Sequence, residues 1–283
     1  MEEIVLKITQ SRQQDQHFVQ SPSSGDIKPL IIGLVLVSSL ISITSTIAHI
    51  YQVTNPLITI ALAVTMYMIT LRVLRWENIP LKSLGLSAKH FIPGLLVFLS
   101  FWIIGDLFAL ILDFATTGSL RLARFVTLSK GWPPLINIIE QWLFVGPVEE
   151  LFNRGYVQTK ILTLLKSNGK VIRRIVALFL SSLIFALLHI PHRLPEMHTW
   201  SALLPLVIWG LVLGYIYDRC GNLVFSGLLH GSLNVGMPII IGTWLPKITN
   251  IYSVNSLSFI ASVVLVVEAY RRWELRHQTE MID

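Results

Sequence analysis

Three ionisable side chains stand together in one long apolar stretch of the sequence. The run Pro147-Val-Glu-Glu-Leu-Phe-Asn-Arg contains Glu149, Glu150 and Arg154. On insertion scales each such charge costs roughly 2.5–3.5 kcal/mol near the centre of a bilayer, so all three need internal partners or water. Charges retained at that cost usually have a function, and these three are therefore candidates for chemistry.

Helical spacing separates the two carboxylates. Glu150 and Arg154 are four residues apart, lie on one face of a helix and are predicted to form an ion pair. Glu149 is five residues from Arg154, about 140° around the helix, and is less able to share that partner. One carboxylate is then neutralised while the other remains free to act as a general base. Pro147, which lacks an amide hydrogen, is expected to kink the helix just before them.

Two further apolar runs supply imidazole and amide groups. His189 ends one run, and His230 is followed four residues later by Asn234, on the same helical face. Counted from the cytoplasmic ends of their helices, Glu149, His189 and His230 lie roughly 16, 22 and 16 Å deep. We therefore expect these groups to meet in one layer. Glu140, nine residues before Glu149, is expected on the opposite face and at the membrane interface.

Composition gives the elements that must position these residues. Of the 283 residues, 53% are hydrophobic and 13% are charged, about half the charged fraction of a soluble domain. Long apolar runs in lipid must be helical, which predicts an all-α polytopic bundle of about eight transmembrane helices. The predicted spans are 29–51, 56–74, 91–115, 134–158, 171–191, 199–217, 222–245 and 252–270. They divide the chain into a flexible N-terminal tail (1–28), a transmembrane domain (29–272) with its core at about 134–245, and a short C-terminal tail (273–283).

The distribution of basic residues predicts the orientation. With the N-terminus inside, 16 of the 22 Lys and Arg residues fall on cytoplasmic segments and 5 outside, with Arg154 left within a span. The positive-inside rule then places both termini in the cytoplasm of a multi-pass cell-membrane protein. The net charge of +6 comes from residues flanking apolar runs, which argues against a nucleic-acid partner. The single Cys220 excludes an internal disulfide.

The chemistry-bearing residues resemble the motifs of the CPBP family, which comprises type II CAAX prenyl proteases and bacteriocin-processing or immunity proteins. The family pattern Glu-Glu-x-x-x-Arg is matched by residues 149–154. Its Phe-x-x-x-His pattern is matched by Phe185 and His189, and its His-x-x-x-Asn pattern by His230 and Asn234. Three motifs in order over about 134–245 make the resemblance specific.

This resemblance implies an eight-helix glutamate-type intramembrane endopeptidase that needs no cofactor. It implies that Glu149 activates a water molecule with the help of His189, while His230 and Asn234 stabilise the oxyanion. Glu150 and Arg154 would be supporting residues. The implied partners are membrane lipids and a peptide or protein substrate, possibly lipidated at a C-terminal CAAX sequence.

Two alternatives remain open from the sequence. Glu149, His189 and His230 could instead ligate a catalytic zinc ion, in which case chelation should abolish activity and zinc should restore it. The chain could also be a non-catalytic immunity protein or a transporter that uses its buried charges as a proton relay. An immunity role should survive Glu149→Gln, whereas a protease should lose cleavage.

Overall fold

The computed structural model describes residues 25–51, 55–118, 132–165, 169–191, 203–235 and 261–273. Within these ranges the chain forms helices and no strands, which confirms the predicted all-α class. The helices are α1 (Lys28–Tyr51), α2 (Pro56–Trp76), a short 3-10 helix (Leu81–Leu84), α3 (Ala88–Thr117), α4 (132–164), α5 (Lys170–Leu188), α6 (Leu203–Cys220), α7 (Leu223–Val235) and α8 (261–273).

Five helical segments in the described part of the chain are long and apolar enough to cross a membrane. They are α1, α2, the segment Leu81–Gly105, α5 and α6, and α7 is a shorter apolar helix. Many apolar side chains on these helices point away from the protein, such as Val35 and Ile43, each more than half exposed. Such a surface suits a lipid solvent, and the protein is a membrane protein. The number of crossings and the orientation stay predictions.

Several predicted boundaries shift in the structure. The fourth predicted span, 134–158, is part of the longer helix α4, while α7 covers the first half of the seventh span. Only the second half of the eighth span is described, as α8. Most of the predicted N-terminal tail (1–28) and nearly all of the C-terminal tail (273–283) lie outside the described residues.

Helix α4 alternates between α-helical and π-helical geometry. Two π-helical stretches, Glu140–Val145 and Leu151–Gln158, enclose the short α-helical segment Gly146–Glu150. In the first stretch the amide of Gly146 bonds the carbonyl of Gln141, five residues back. This wider turn changes the angle at which later side chains leave the helix, and π-helical turns are often found at functional sites. Pro147 lies at the start of the enclosed segment, where it contributes no amide hydrogen bond.

Helix α4 lies at the centre of the packing. It contacts α2, α5 and α7, while α1 packs on α2, α5 on α6 and α7 on α3. The buried apolar side chains of α1, α2 and α4 belong to one core cluster, which includes Met66 and Phe152. Most of those of α3, α6, α7 and α8 form a second cluster, which includes Phe98 and Leu229. The contact between α4 and α7 therefore lies where the two clusters meet.

Candidate active site

Glycines allow helices α4 and α7 to touch along their backbones. A Cβ atom on Gly231 of α7 would lie 2.7 Å from Cα of Trp142, and one on Gly227 would lie 2.7 Å from Cα of Pro147. Neither distance is sterically possible, so a larger residue would push the helices apart. Small residues four apart are a common way for membrane helices to approach closely. Here they bring His230 beside the two glutamates of α4.

The start of α7 is fixed by an Asn cap. The side-chain oxygen of Asn222 accepts hydrogen bonds from the amides of Val224 and Phe225, at 3.0 and 3.1 Å. Its Nδ2 donates to the carbonyl oxygen of His90 in α3 at 2.9 Å. The cap satisfies amides that a helix start leaves unpaired and also ties α7 to α3.

One carboxylate oxygen faces two imidazoles. Oε2 of Glu149 lies 3.6 Å from Nε2 of His230 and 3.9 Å from Nε2 of His189. The three side chains come from α4, α7 and the C-terminal end of α5. This oxygen is buried and accepts no hydrogen bond from the described part of the chain. It is therefore available to accept a proton from a substrate or water.

Glu150 has a different set of neighbours and is fully buried. Its Oε2 lies 3.3 Å from Nε of Arg154, so the ion pair expected from their spacing is present. Its Oε1 lies 2.9 Å from Nδ1 of His230, a contact that the sequence did not predict. A carboxylate accepts hydrogen bonds, so Nδ1 of His230 carries a proton and Nε2 is the nitrogen directed at Glu149.

The backbone fixes the orientation of His189. Its Nδ1 lies 2.7 Å from the carbonyl oxygen of Phe185, which can only accept, so Nδ1 is protonated. In the neutral imidazole this leaves an unprotonated Nε2 directed at Glu149. Two proton acceptors, the carboxylate and this nitrogen, then face each other 3.9 Å apart.

Phe185 packs against three members of the site. Its ring centroid lies 4.5 Å from that of His189 and 5.8 Å from that of His230. The guanidinium carbon of Arg154 lies 4.9 Å from the same centroid, within cation–π range. Phe185 thus holds both imidazoles and the buried arginine in place.

Asn234 lies one turn beyond His230 and contacts a different residue. It is exposed, and its Nδ2 donates to Oε1 of Gln141 at 2.8 Å. Nε2 of Gln141 donates in turn to Oε1 of Glu140 at 3.3 Å. Sequence reasoning missed Gln141, which belongs to none of the three motifs.

Glu140, which was expected on the face opposite Glu149 and at the membrane interface, has a buried side chain in the structure. Its side chain is 6% exposed and accepts hydrogen bonds from Gln141 and Thr59 inside the protein. The expectation assumed a regular 100° step between Glu140 and Glu149. The π-helical stretch that begins at Glu140 breaks that regularity, so the predicted helical face does not apply.

The zinc alternative would use Glu149, His189 and His230. Among the residues that the structure describes, no group of three or more His, Cys, Asp or Glu side chains is arranged as a metal site. The two imidazole nitrogens lie 3.6 and 3.9 Å from Oε2 of Glu149. The test by chelation proposed from the sequence therefore remains the way to decide metal dependence.

The segment that contains these residues matches a known protein family. The family model described as "Type II CAAX prenyl endopeptidase Rce1-like" matches residues 131–236. This segment contains Glu149, His189, His230 and Asn234. No curated protein and no solved structure matches the chain. Residues 131–236 are therefore similar to the Rce1-like type II CAAX prenyl endopeptidases.

Proposed function

We propose that this protein hydrolyses a peptide bond of a CAAX-type substrate with a water molecule activated by Glu149. The observation that carries the proposal is the position of Glu149 Oε2, which is buried and faces Nε2 of both His189 and His230. A carboxylate oxygen that is buried and accepts no hydrogen bond is well suited to take a proton from water.

His189 assists in holding the water. Because Nδ1 donates to the carbonyl of Phe185, the unprotonated Nε2 and the carboxylate of Glu149 are both acceptors. A water molecule bound between them donates one hydrogen bond to each, which turns its lone pair outward. As this oxygen attacks the scissile carbonyl carbon, one proton passes to Glu149 and the carbonyl oxygen takes the negative charge.

His230 and Asn234 supply donors for that developing charge. Glu150 holds the protonated Nδ1 of His230, so a second proton on Nε2 makes the ring an imidazolium with a donor at the site. Asn234 carries two amide hydrogens and gives only one to Gln141. Removing one oxyanion donor in a well-studied protease lowers kcat by about 10²–10³. When the tetrahedral intermediate collapses, the proton on Glu149 passes to the leaving amine, which restores the carboxylate.

The surroundings of the site suit a lipidated peptide. The polar cluster lies among apolar helices whose outer surfaces fit lipid, so an attached prenyl chain can remain in the membrane while the peptide enters the polar site. The family description supports this class of substrate.

The test uses the purified protein in lipid nanodiscs and a quenched-fluorescent peptide with a farnesylated cysteine four residues from its C-terminus. We expect cleavage by the wild type and its loss in Glu149→Gln. The matched control is Asp218→Asn, which changes a carboxylate of similar exposure that pairs with Arg174. This control should cleave at the wild-type rate.

Three outcomes would contradict the proposal. Undiminished cleavage by Glu149→Gln rules out the glutamate mechanism. No cleavage by a folded wild type rules out the substrate class. Activity that disappears after exhaustive chelation and returns with zinc replaces the mechanism with metal catalysis. Activity that survives chelation supports the glutamate.

A further inference from the structure

We infer that Gln141 is a positioning residue that sets the direction of the Asn234 amide, so that an N–H of this amide points to the oxyanion. The inference rests on the proposed function, because it assigns Asn234 to the oxyanion site. Gln141 lies in the first π-helical stretch of α4, eight residues before Glu149, and is outside the three motifs.

Three polar side chains form a short directed chain between α4 and α7. Nδ2 of Asn234 donates to Oε1 of Gln141 at 2.8 Å, and Nε2 of Gln141 donates to Oε1 of Glu140 at 3.3 Å. Glu140 also bonds the side chain of Thr59 in α2 and is 6% exposed. The chain therefore starts at a buried carboxylate and ends at an exposed amide.

The carboxylate of Glu140 determines which group donates and which accepts in each of these hydrogen bonds. An ionised carboxylate can only accept, so Gln141 must turn its NH₂ group toward Glu140. The side-chain oxygen of Gln141 then faces Asn234, which must donate a hydrogen bond to it from its own NH₂ group. Without this acceptor, the Asn234 amide could rotate by half a turn and present its oxygen to the site. An oxygen there would repel the oxyanion instead of stabilising it.

The inference predicts that loss of Gln141 lowers kcat and leaves KM nearly unchanged. The oxyanion exists only after the water attacks, so a misdirected amide weakens the transition state and leaves substrate binding nearly unchanged. Gln141→Leu keeps most of the side-chain volume and removes both polar atoms. We expect its kcat to fall about 10-fold to 100-fold, less than the 10²–10³ loss for removing a donor outright, with KM within about twofold of wild type.

A double-mutant cycle tests whether Gln141 acts through Asn234. In an Asn234→Ala background the amide is absent, so adding Gln141→Leu should lower kcat no further. An equal loss in both backgrounds, or no loss in the single variant, would overturn the inference. If Gln141→Leu lowers the melting temperature strongly, Gln141→Met takes its place in the same cycle.

Exchanging the residue types at positions 140 and 141 should restore kcat, which would not be expected if Gln141 had only a structural role. In the double variant Glu140→Gln with Gln141→Glu, the amide at position 140 donates to a carboxylate at position 141. That carboxylate again accepts from Asn234. We expect the exchange to recover most of the kcat lost in Gln141→Leu; failure to exceed the Gln141→Leu rate in a folded protein counts against the inference.

Glu149→Gln, measured in the same assay, keeps the two proposals apart. Cleavage that does not depend on Glu149 means that the proposed function has failed. Cleavage that depends on Glu149 but not on Gln141 leaves the proposed function standing and removes only the role of Gln141.

Discussion

Glu150 balances two cationic or proton-donating groups in a fully buried position. Arg154 lies 3.3 Å from one of its oxygens and His230 lies 2.9 Å from the other. Nη1 and Nη2 of Arg154 are buried and make no hydrogen bond with the described residues. The electrostatic partners of Arg154 there are Glu150, Glu149 and the Phe185 ring. Removing one charge from such a cluster leaves the others uncompensated.

This arrangement predicts opposite effects of single and paired substitutions. Glu150→Gln leaves Arg154 as a buried charge without its counter-ion and is expected to destabilise the protein by about 3–5 kcal/mol. Adding Arg154→Met removes that charge and should restore most of the lost stability, because replacing both members of a buried pair is often nearly neutral. Thermal unfolding in detergent micelles measures both effects. A double variant that is no more stable than Glu150→Gln would contradict the assignment.

His189 offers a second prediction at this scale. Asparagine can place a donor near the position of Nδ1 and keep the bond to the Phe185 carbonyl, but it has nothing at the position of Nε2. His189→Asn should therefore fold like the wild type and lose about 10²–10⁴-fold in kcat. Peptide cleavage and melting temperature, measured on the same sample, check the two halves of the statement. Near-normal kcat in a folded His189→Asn would show that this imidazole does not act on the water.

The contact between the helices α4 and α7 sets the geometry of the site. Gly146 of α4 faces Gly227 and Gly231 of α7, so the two backbones approach closely. The π-helical stretches on either side of Gly146–Glu150 direct Gln141 and Arg154 toward their partners. A change in the spacing of these helices would separate His230 from both glutamates at once.

A methyl group at Gly231 should therefore reduce stability and activity together. Its Cβ would overlap the carbonyl oxygen of Gln141 and approach Cα of Trp142 to 2.7 Å. Backbone atoms cannot move aside cheaply, and overpacking of this kind costs about 1–3 kcal/mol. The matched control is Gly33→Ala in α1, where the nearest atom would lie 3.4 Å away, an ordinary contact. Melting temperature and kcat should fall in Gly231→Ala and stay near wild type in Gly33→Ala; equal behaviour of the two variants would contradict the close-contact explanation.

At the scale of the whole molecule, the apolar outer surface and the buried polar centre reverse the usual arrangement of a soluble protein. The site lies between two core clusters, one formed by α1, α2 and α4 and the other by α3, α6, α7 and α8. Glu150 pairs with Arg154 within α4 and contacts His230 of α7. The basic residues at the helix ends predict an orientation in the membrane with the N-terminus in the cytoplasm.

Cysteine labelling tests that orientation. The native Cys220 is 1% exposed and is replaced by serine to give a background without cysteine. In this background, Tyr51→Cys at the end of α1 should react with a membrane-impermeant maleimide on intact cells. Lys82→Cys, in the short 3-10 helix, should react only after the cells are permeabilised. These outcomes follow from a cytoplasmic N-terminus and one crossing each by α1 and α2. Labelling of Lys82→Cys on intact cells would reverse the orientation.

Sequence analysis alone predicted the helical class, the position of most helices and the residues of the three motifs. These features depend on composition and on local spacing, and the Glu150–Arg154 ion pair is of the same kind because its members are four residues apart on one helix. Local patterns of this sort are visible without knowing which helices touch.

Only the tertiary structure decided how the polar side chains pair between helices. The contact between Glu150 and His230 joins residues 80 positions apart, and that between Gln141 and Asn234 joins residues 93 apart. Periodicity within one helix carries no information about such pairs. The burial of Glu140 was missed for a further reason, since the π-helical turns of α4 shift the helical phase that the sequence argument took as constant. Glycine contacts between α4 and α7 then bring the shifted side chains to one place.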